Sequence, residues 1–137
     1  MKYIRKKQIY QGTATMKSNT IPHDHGEIKD MESFSKLLSE TEGFDSVARI
    51  LSQMVDGNRI RIFWLLCHYE ACVINISYIM GMPSPAVSHH LRSLKESGLI
   101  ESRRVGKEVY YKAVDSREVM FLHHMVEELM EITCPKE

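Results

Sequence analysis

Residues 72–114, CVINISYIMGMPSPAVSHHLRSLKESGLIESRRVGKEVYYKAV, decide the fold. Val73, Ile76, Ile79 and Met80 recur on a helical period, and Gly81-Met82-Pro83 stops that short helix, which is expected over 72–80. A second helix is expected over 84–97. Ser84 is a good N-cap there, and Pro85 suits the first helical position, where its missing N–H is not needed. Val87, Leu91 and Leu94 form its buried stripe, and Gly98 can adopt the left-handed conformation that ends a helix. Beyond Gly98 the period falls to two. Residues 99–103 and 108–114 read as strands joined at Val105-Gly106-Lys107, a β-hairpin.

Working outward, residues 59–69 carry Ile60, Ile62, Phe63, Leu65 and Leu66, a buried helix after the break Asp56-Gly57-Asn58. Residues 44–55 show a helical stripe of Phe44, Val47, Ala48, Ile50, Leu51 and Met54. A short helix over 32–39 is expected to end near Gly43. Downstream, Asp115 or Ser116 caps a last helix running to Thr133, and its Met-rich apolar face suits pairing with another chain. Residues 1–30 lack periodicity and read as an N-terminal arm, leaving 31–137 as the folded domain.

The chain has 137 residues, 43% hydrophobic and 26% charged, which excludes a wholly disordered or collagen-like chain. The longest apolar run, 62–67, is far below the roughly 18 residues of a membrane span. No apolar stretch follows the basic residues 1–7, so no secretory signal and no membrane partner are expected. Three cysteines make no disulfide framework, and the expected compartment is the reducing cytoplasm. Eighteen basic and eighteen acidic residues balance overall, yet residues 84–114 hold six basic against three acidic. A local phosphate-binding surface fits that excess, as does an ordinary solvated face.

Two short helices joined by a tight turn, followed by a hairpin with a basic tip, make a winged helix-turn-helix. The fold class is mainly α with a β-hairpin wing. A helix fits the major groove of duplex DNA, and its polar face can reach bases and phosphates. On the second helix Ser84, Ser88, His89, Arg92 and Ser93 point outward, with His90 at the edge. His89 and His90 could read bases or bond into the scaffold. Arg103, Arg104 and Lys107 lie on or near the wing tip, where they could straddle the backbone. The alternative is a winged helix used for protein contact. An enzyme is not expected, because His23-Asp24-His25 lacks further ligands and a general base.

These residues resemble the ArsR/SmtB family of bacterial metal-responsive repressors. The likeness runs from Asp56-Gly57-Asn58-Arg59-Ile60-Arg61-Ile62 through Val87-Ser88-His89-His90-Leu91-Arg92 to Gly106-Lys107-Glu108-Val109-Tyr110-Tyr111, and covers about residues 44–133. It implies a homodimer, paired through its first and last helices, on a palindromic double-stranded operator. It also implies a repressor that an effector releases.

The resemblance places effector sites in a few locations. Where arsenic, cadmium and lead sensors resemble Cys-Val-Cys-Asp, this chain has Cys72-Val73-Ile74-Asn75. One thiolate does not satisfy a soft ion. A mixed zinc, nickel or cobalt site of Cys72, His23 and His25 is the expectation if the arm folds over Cys72. The paired-last-helix site would use Asp115, Arg117, Glu128 and Glu131, where both histidine positions are lost. Arg117 could there pair with a partner carboxylate instead. His123 with Glu127, and His124 with Glu128, share helix faces and form a further cluster or an exposed face. Some relatives sense oxidants or persulfides with cysteines placed broadly like Cys67 and Cys134, so a thiol-responsive repressor is the alternative.

Overall fold

The computed structural model describes His23 and residues 31–135. Its elements are α1 (Met31–Ser39), α2 (Thr41–Leu51), α3 (Gly57–His68), β1 (Ala71–Cys72), α4 (Val73–Met80), α5 (Ser84–Glu96), β2 (Ile100–Val105), β3 (Glu108–Ala113) and α6 (Arg117–Met130), with a 3-10 turn, Ser52–Val55, before α3. The chain divides into two units, Met1–Ala48 and Arg49–Glu137.

In the first unit, α1 closes with the Ser39 hydroxyl donating to the Lys36 carbonyl at 2.6 Å. Gly43 does not end this helix; it sits in the first turn of α2, after a break at Glu40. Phe34, Leu38, Phe44 and Val47 are exposed apolar side chains on these two helices.

In the second unit, Ile62, Phe63, Ile76, Val87, Leu91, Leu94 and Leu122 are almost wholly buried and draw α3, α4, α5 and α6 onto one core. Asp56 caps α3, accepting from the Arg59 N–H at 2.9 Å, and Ser116 caps α6, accepting from the Val119 N–H at 3.2 Å. The hairpin pairs Ile100 with Ala113 through Val105 with Glu108, and Gly106 turns it at φ 63°.

Several boundaries differ from expectation. Ala71 and Cys72 form a strand against Tyr111 and Tyr110, giving a three-stranded sheet of order β1-β3-β2, so α4 starts at Val73 instead of Cys72. The N-cap of α5 is Pro83, which shifts Ser84 and Pro85 one place into the helix. The last helix stops at Met130, because Glu131 turns left-handed at φ 54° and the Ile132 N–H reaches back to the Glu127 carbonyl at 3.1 Å. Among the described residues no helix is long and apolar enough to cross a membrane.

Candidate functional site

The turn between α4 and α5 is fixed from both sides. Gly81 takes φ 64°, the Met82 N–H donates to the Ser77 carbonyl at 3.1 Å, and the Ser77 hydroxyl donates back to the Met82 carbonyl. On α5, Val87, Leu91 and Leu94 face the core. Ser84, His89 and Arg92 are exposed, while Ser88 and Ser93 are half-buried. His90 departs from the outward set, because it is buried beside the apolar stripe. Its Nε2 lies 3.9 Å from Asp56 Oδ1, too far for a hydrogen bond, and its Nδ1 has no hydrogen-bond partner among the described residues. Burial holds the imidazole below its ordinary pKa, with the Asp56 carboxylate opposing that shift. A signal for this was available: His90 lies three residues after Val87 and four before Leu94, on their side of the helix.

Arg103, Arg104 and Lys107 are all exposed on the wing, but they are not equivalent. The Arg103 Nε donates to the Glu70 carboxylate, a pairing that raises the guanidinium pKa further. Arg104 donates to the Gly106 carbonyl at 3.2 Å, within the turn itself. Lys95, not singled out from the sequence, joins the end of α5 to β2 by donating to the Ser102 hydroxyl at 2.7 Å. Exposed hydroxyls, an imidazole and cations thus share one module, in which α5 and β2 pack together. That chemistry suits a polyanion with readable edges.

A second polar group lies where α6 crosses α3. The Cys134 thiol donates to Glu127 Oε2 at 2.9 Å and lies 3.3 Å from His123 Nε2. His123 Nε2 is 2.9 Å from Glu127 Oε1. The His68 and His123 rings meet edge to face at 4.9 Å. One donor atom each of His68, His123 and Cys134 fall within 4.8 Å of one another. Burial pushes the neighbouring Cys67 thiol up to about 12, and Cys134 and Glu127 add to the shift. The hydrogen bond to Glu127 raises the Cys134 thiol as well, and burial lowers His123.

Of the other expected ligands, Cys72 is buried at the end of β1, His23 is exposed, and His25 lies outside the described residues. Asp115, Arg117, Glu128 and Glu131 are each exposed. The sequence reading paired His123 with Glu127 correctly but missed His68, whose approach depends on how α6 crosses α3.

The sequence model described as bacterial regulatory protein, arsR family, matches residues 56–102. The chain is 33% identical over 85 residues to a transcriptional repressor SmtB homolog from Synechocystis sp., covering 62% of this chain and 64% of that protein. It thus spans less than two thirds of that relative's length. It is 35% identical over 83 residues to a cadmium resistance transcriptional regulatory protein CadC homolog from Staphylococcus aureus, covering 56% of this chain and 69% of that protein. The structure is similar to the homodimeric winged helix-turn-helix DNA-binding domain Mb0332 from Mycobacterium bovis. That match has 28% identity and a TM-score of 0.58, covering 77% of this chain and 89% of that one. These matches show that the chain belongs to the ArsR family of bacterial winged helix-turn-helix regulatory proteins.

Proposed function

We propose that this chain is a cytoplasmic, homodimeric transcriptional repressor that binds a palindromic double-stranded operator and is released by a transition-metal ion. The observation that carries the DNA reading is the α5–wing module, with Ser84, His89 and Arg92 exposed on the helix and Arg104 and Lys107 exposed on the wing. Ser88 and Ser93 contribute at the margin, and Arg103 offers phosphate its remaining N–H groups while Glu70 neutralises part of its charge. Homodimer formation is supported by Met120, Phe121, Leu129 and Met130, which α6 leaves exposed. The relatives named for SmtB and for cadmium resistance support a metal as the effector class. Soft ions that need two or three thiolates suit this chain less than zinc, nickel or cobalt. The arm set of Cys72, His23 and His25 remains one seat for such an ion, tested by Cys72→Ser.

The experiment is duplex binding titrated with salt, using DNA selected by the protein from a random-sequence library. Affinity is expected to fall linearly on a log–log plot, with a slope near −0.9 for each neutralised phosphate. No binding to any duplex would leave a protein-contact module. A thiol-responsive reading has one observation in its favour: Cys134 lies close enough to Cys67 to perturb its thiol. Burial pushes that thiol up to about 12, well away from the thiolate form at neutral pH, which disfavours Cys67 as the attacking group. Release of DNA by oxidant in the wild type, lost in Cys67→Ser, would establish that reading instead.

A further inference from the structure

We propose that His68, His123 and Cys134, with the Glu127 carboxylate as fourth donor, bind a divalent ion of the zinc and cobalt class within a single chain. The inference rests on the effector reading above only for its consequence at DNA; metal binding itself stands on the α3–α6 corner.

Three observations point to a cation. Glu127 is buried at 8% exposure, and no Lys or Arg among the described residues forms an ion pair with it. A buried carboxylate normally requires a positive partner, and here the facing groups are an imidazole and a thiol, both potential metal donors. His68 Nε2 is sealed from solvent without a hydrogen-bond partner among the described residues. Finally, the tail is turned back over α6 by a left-handed Glu131, a conformation that disfavours a side chain, and this turn brings Cys134 to His123.

The distances are close to those of a bound ion. Zinc bonds of 2.0–2.3 Å set tetrahedral donors about 3.3–3.8 Å apart. His123 Nε2 and Cys134 Sγ already stand 3.3 Å apart, and the three-residue set lies within 4.8 Å, so modest contraction brings these three to bonding distance. Glu127, against His123 and Cys134 at 2.9 Å each, is placed to supply the fourth donor from their side. Two imidazoles, one thiolate and one carboxylate form a borderline donor set, which favours zinc or cobalt over ions requiring several thiolates. On binding, the Cys134 S–H bond breaks, its sulfur pair goes to the metal, and the proton leaves Glu127's side for solvent. The closed site ties the tail and α6 to the end of α3.

Cobalt(II) titration of the reduced full chain tests the site. One ion per chain is expected, with a thiolate-to-cobalt charge-transfer band and tetrahedral d–d bands. Cys134→Ser should remove the charge-transfer band, and His68→Ala and His123→Ala should each weaken binding at least tenfold. Cys134 is exposed in the tail, so its serine variant is expected to fold even if a histidine variant does not. Retention of the band in Cys134→Ser, or its loss in Cys72→Ser, would overturn the site. Zinc-induced DNA release separates the two readings. Release that persists undiminished in Cys134→Ser counts against this site and leaves the effector reading standing. Cobalt bound through Cys134 without any change in DNA affinity supports the site and overturns the effector reading.

Discussion

The α5–wing module holds its polar groups apart in solvent, whereas the α3–α6 corner crowds them together. Ser84, His89, Arg92, Arg104 and Lys107 are exposed on the first. In the second, His123, Glu127 and Cys134 meet within hydrogen-bonding distance, and Glu127 is buried. The contrast sorts ligands by size and charge. Dispersed exposed cations suit something long and anionic, whose counterions they would displace. A compact set of imidazole, thiol and carboxylate can close around a single cation. One unit thus carries two chemically opposite surfaces, and α3 contributes to both: Asp56 at its start approaches His90 of α5, and His68 at its end approaches His123 of α6.

The largest expected effect lies beneath the exposed face. Leu91 is 1% exposed on the underside of α5. Leu91→Ala should cost about 2–5 kcal/mol of stability, read by urea unfolding. Duplex affinity should fall with it when the protein is near its unfolding midpoint. A variant as stable as the wild type would mean that α5 is not seated on the core as described.

How much of this contrast the sequence discloses depends on range. Local geometry was legible: Gly81, Gly98 and Gly106 each take the positive φ that their turns require. Asp56 and Ser116 cap helices as their types suggest. The hairpin and its basic tip follow from alternation on either side of Val105-Gly106-Lys107, although Val105 itself pairs with Glu108 within β2, which leaves Gly106 and Lys107 as the turn. The strand Ala71–Cys72 was not legible, because two residues carry no period and its pairing partners are Tyr110 and Tyr111. The end of α6 was also hidden, since Glu131 carries no sequence signal for a left-handed turn. The corner depended on all of this at once. His68, His123 and Cys134 meet only after α6 crosses α3 and the tail folds back.

A middle-sized effect should grade the wing. Arg92→Ala and Arg104→Ala are each expected to cost about 1–3 kcal/mol of duplex affinity, roughly fivefold to 150-fold. Arg103→Ala should cost less, because that guanidinium is engaged by Glu70 before DNA arrives. Equilibrium titrations at one salt concentration give the order. Were Arg103→Ala the most damaging, the Glu70 pair would have to open on DNA, and the wing would not be preset as the exposed counterpart of the corner.

The smallest effect concerns His90, the residue of α5 that behaves like the corner because it is polar yet buried. Burial holds its pKa below the ordinary value, Asp56 opposes the shift, and Arg59 and His89 reinforce it. The unfolded chain therefore takes up this proton first as pH falls below about 6.5. In that window the unfolded state binds more protons than the folded one, so stability declines with falling pH until the folded imidazole protonates too. His90→Gln removes this contribution and should flatten the loss of urea stability between about pH 7 and pH 5. His123, lowered in the same direction, keeps some slope in the variant. An unchanged or steeper slope would place His90 in solvent with its neighbours, and the division between exposed and enclosed polar groups would then run along a different face of α5.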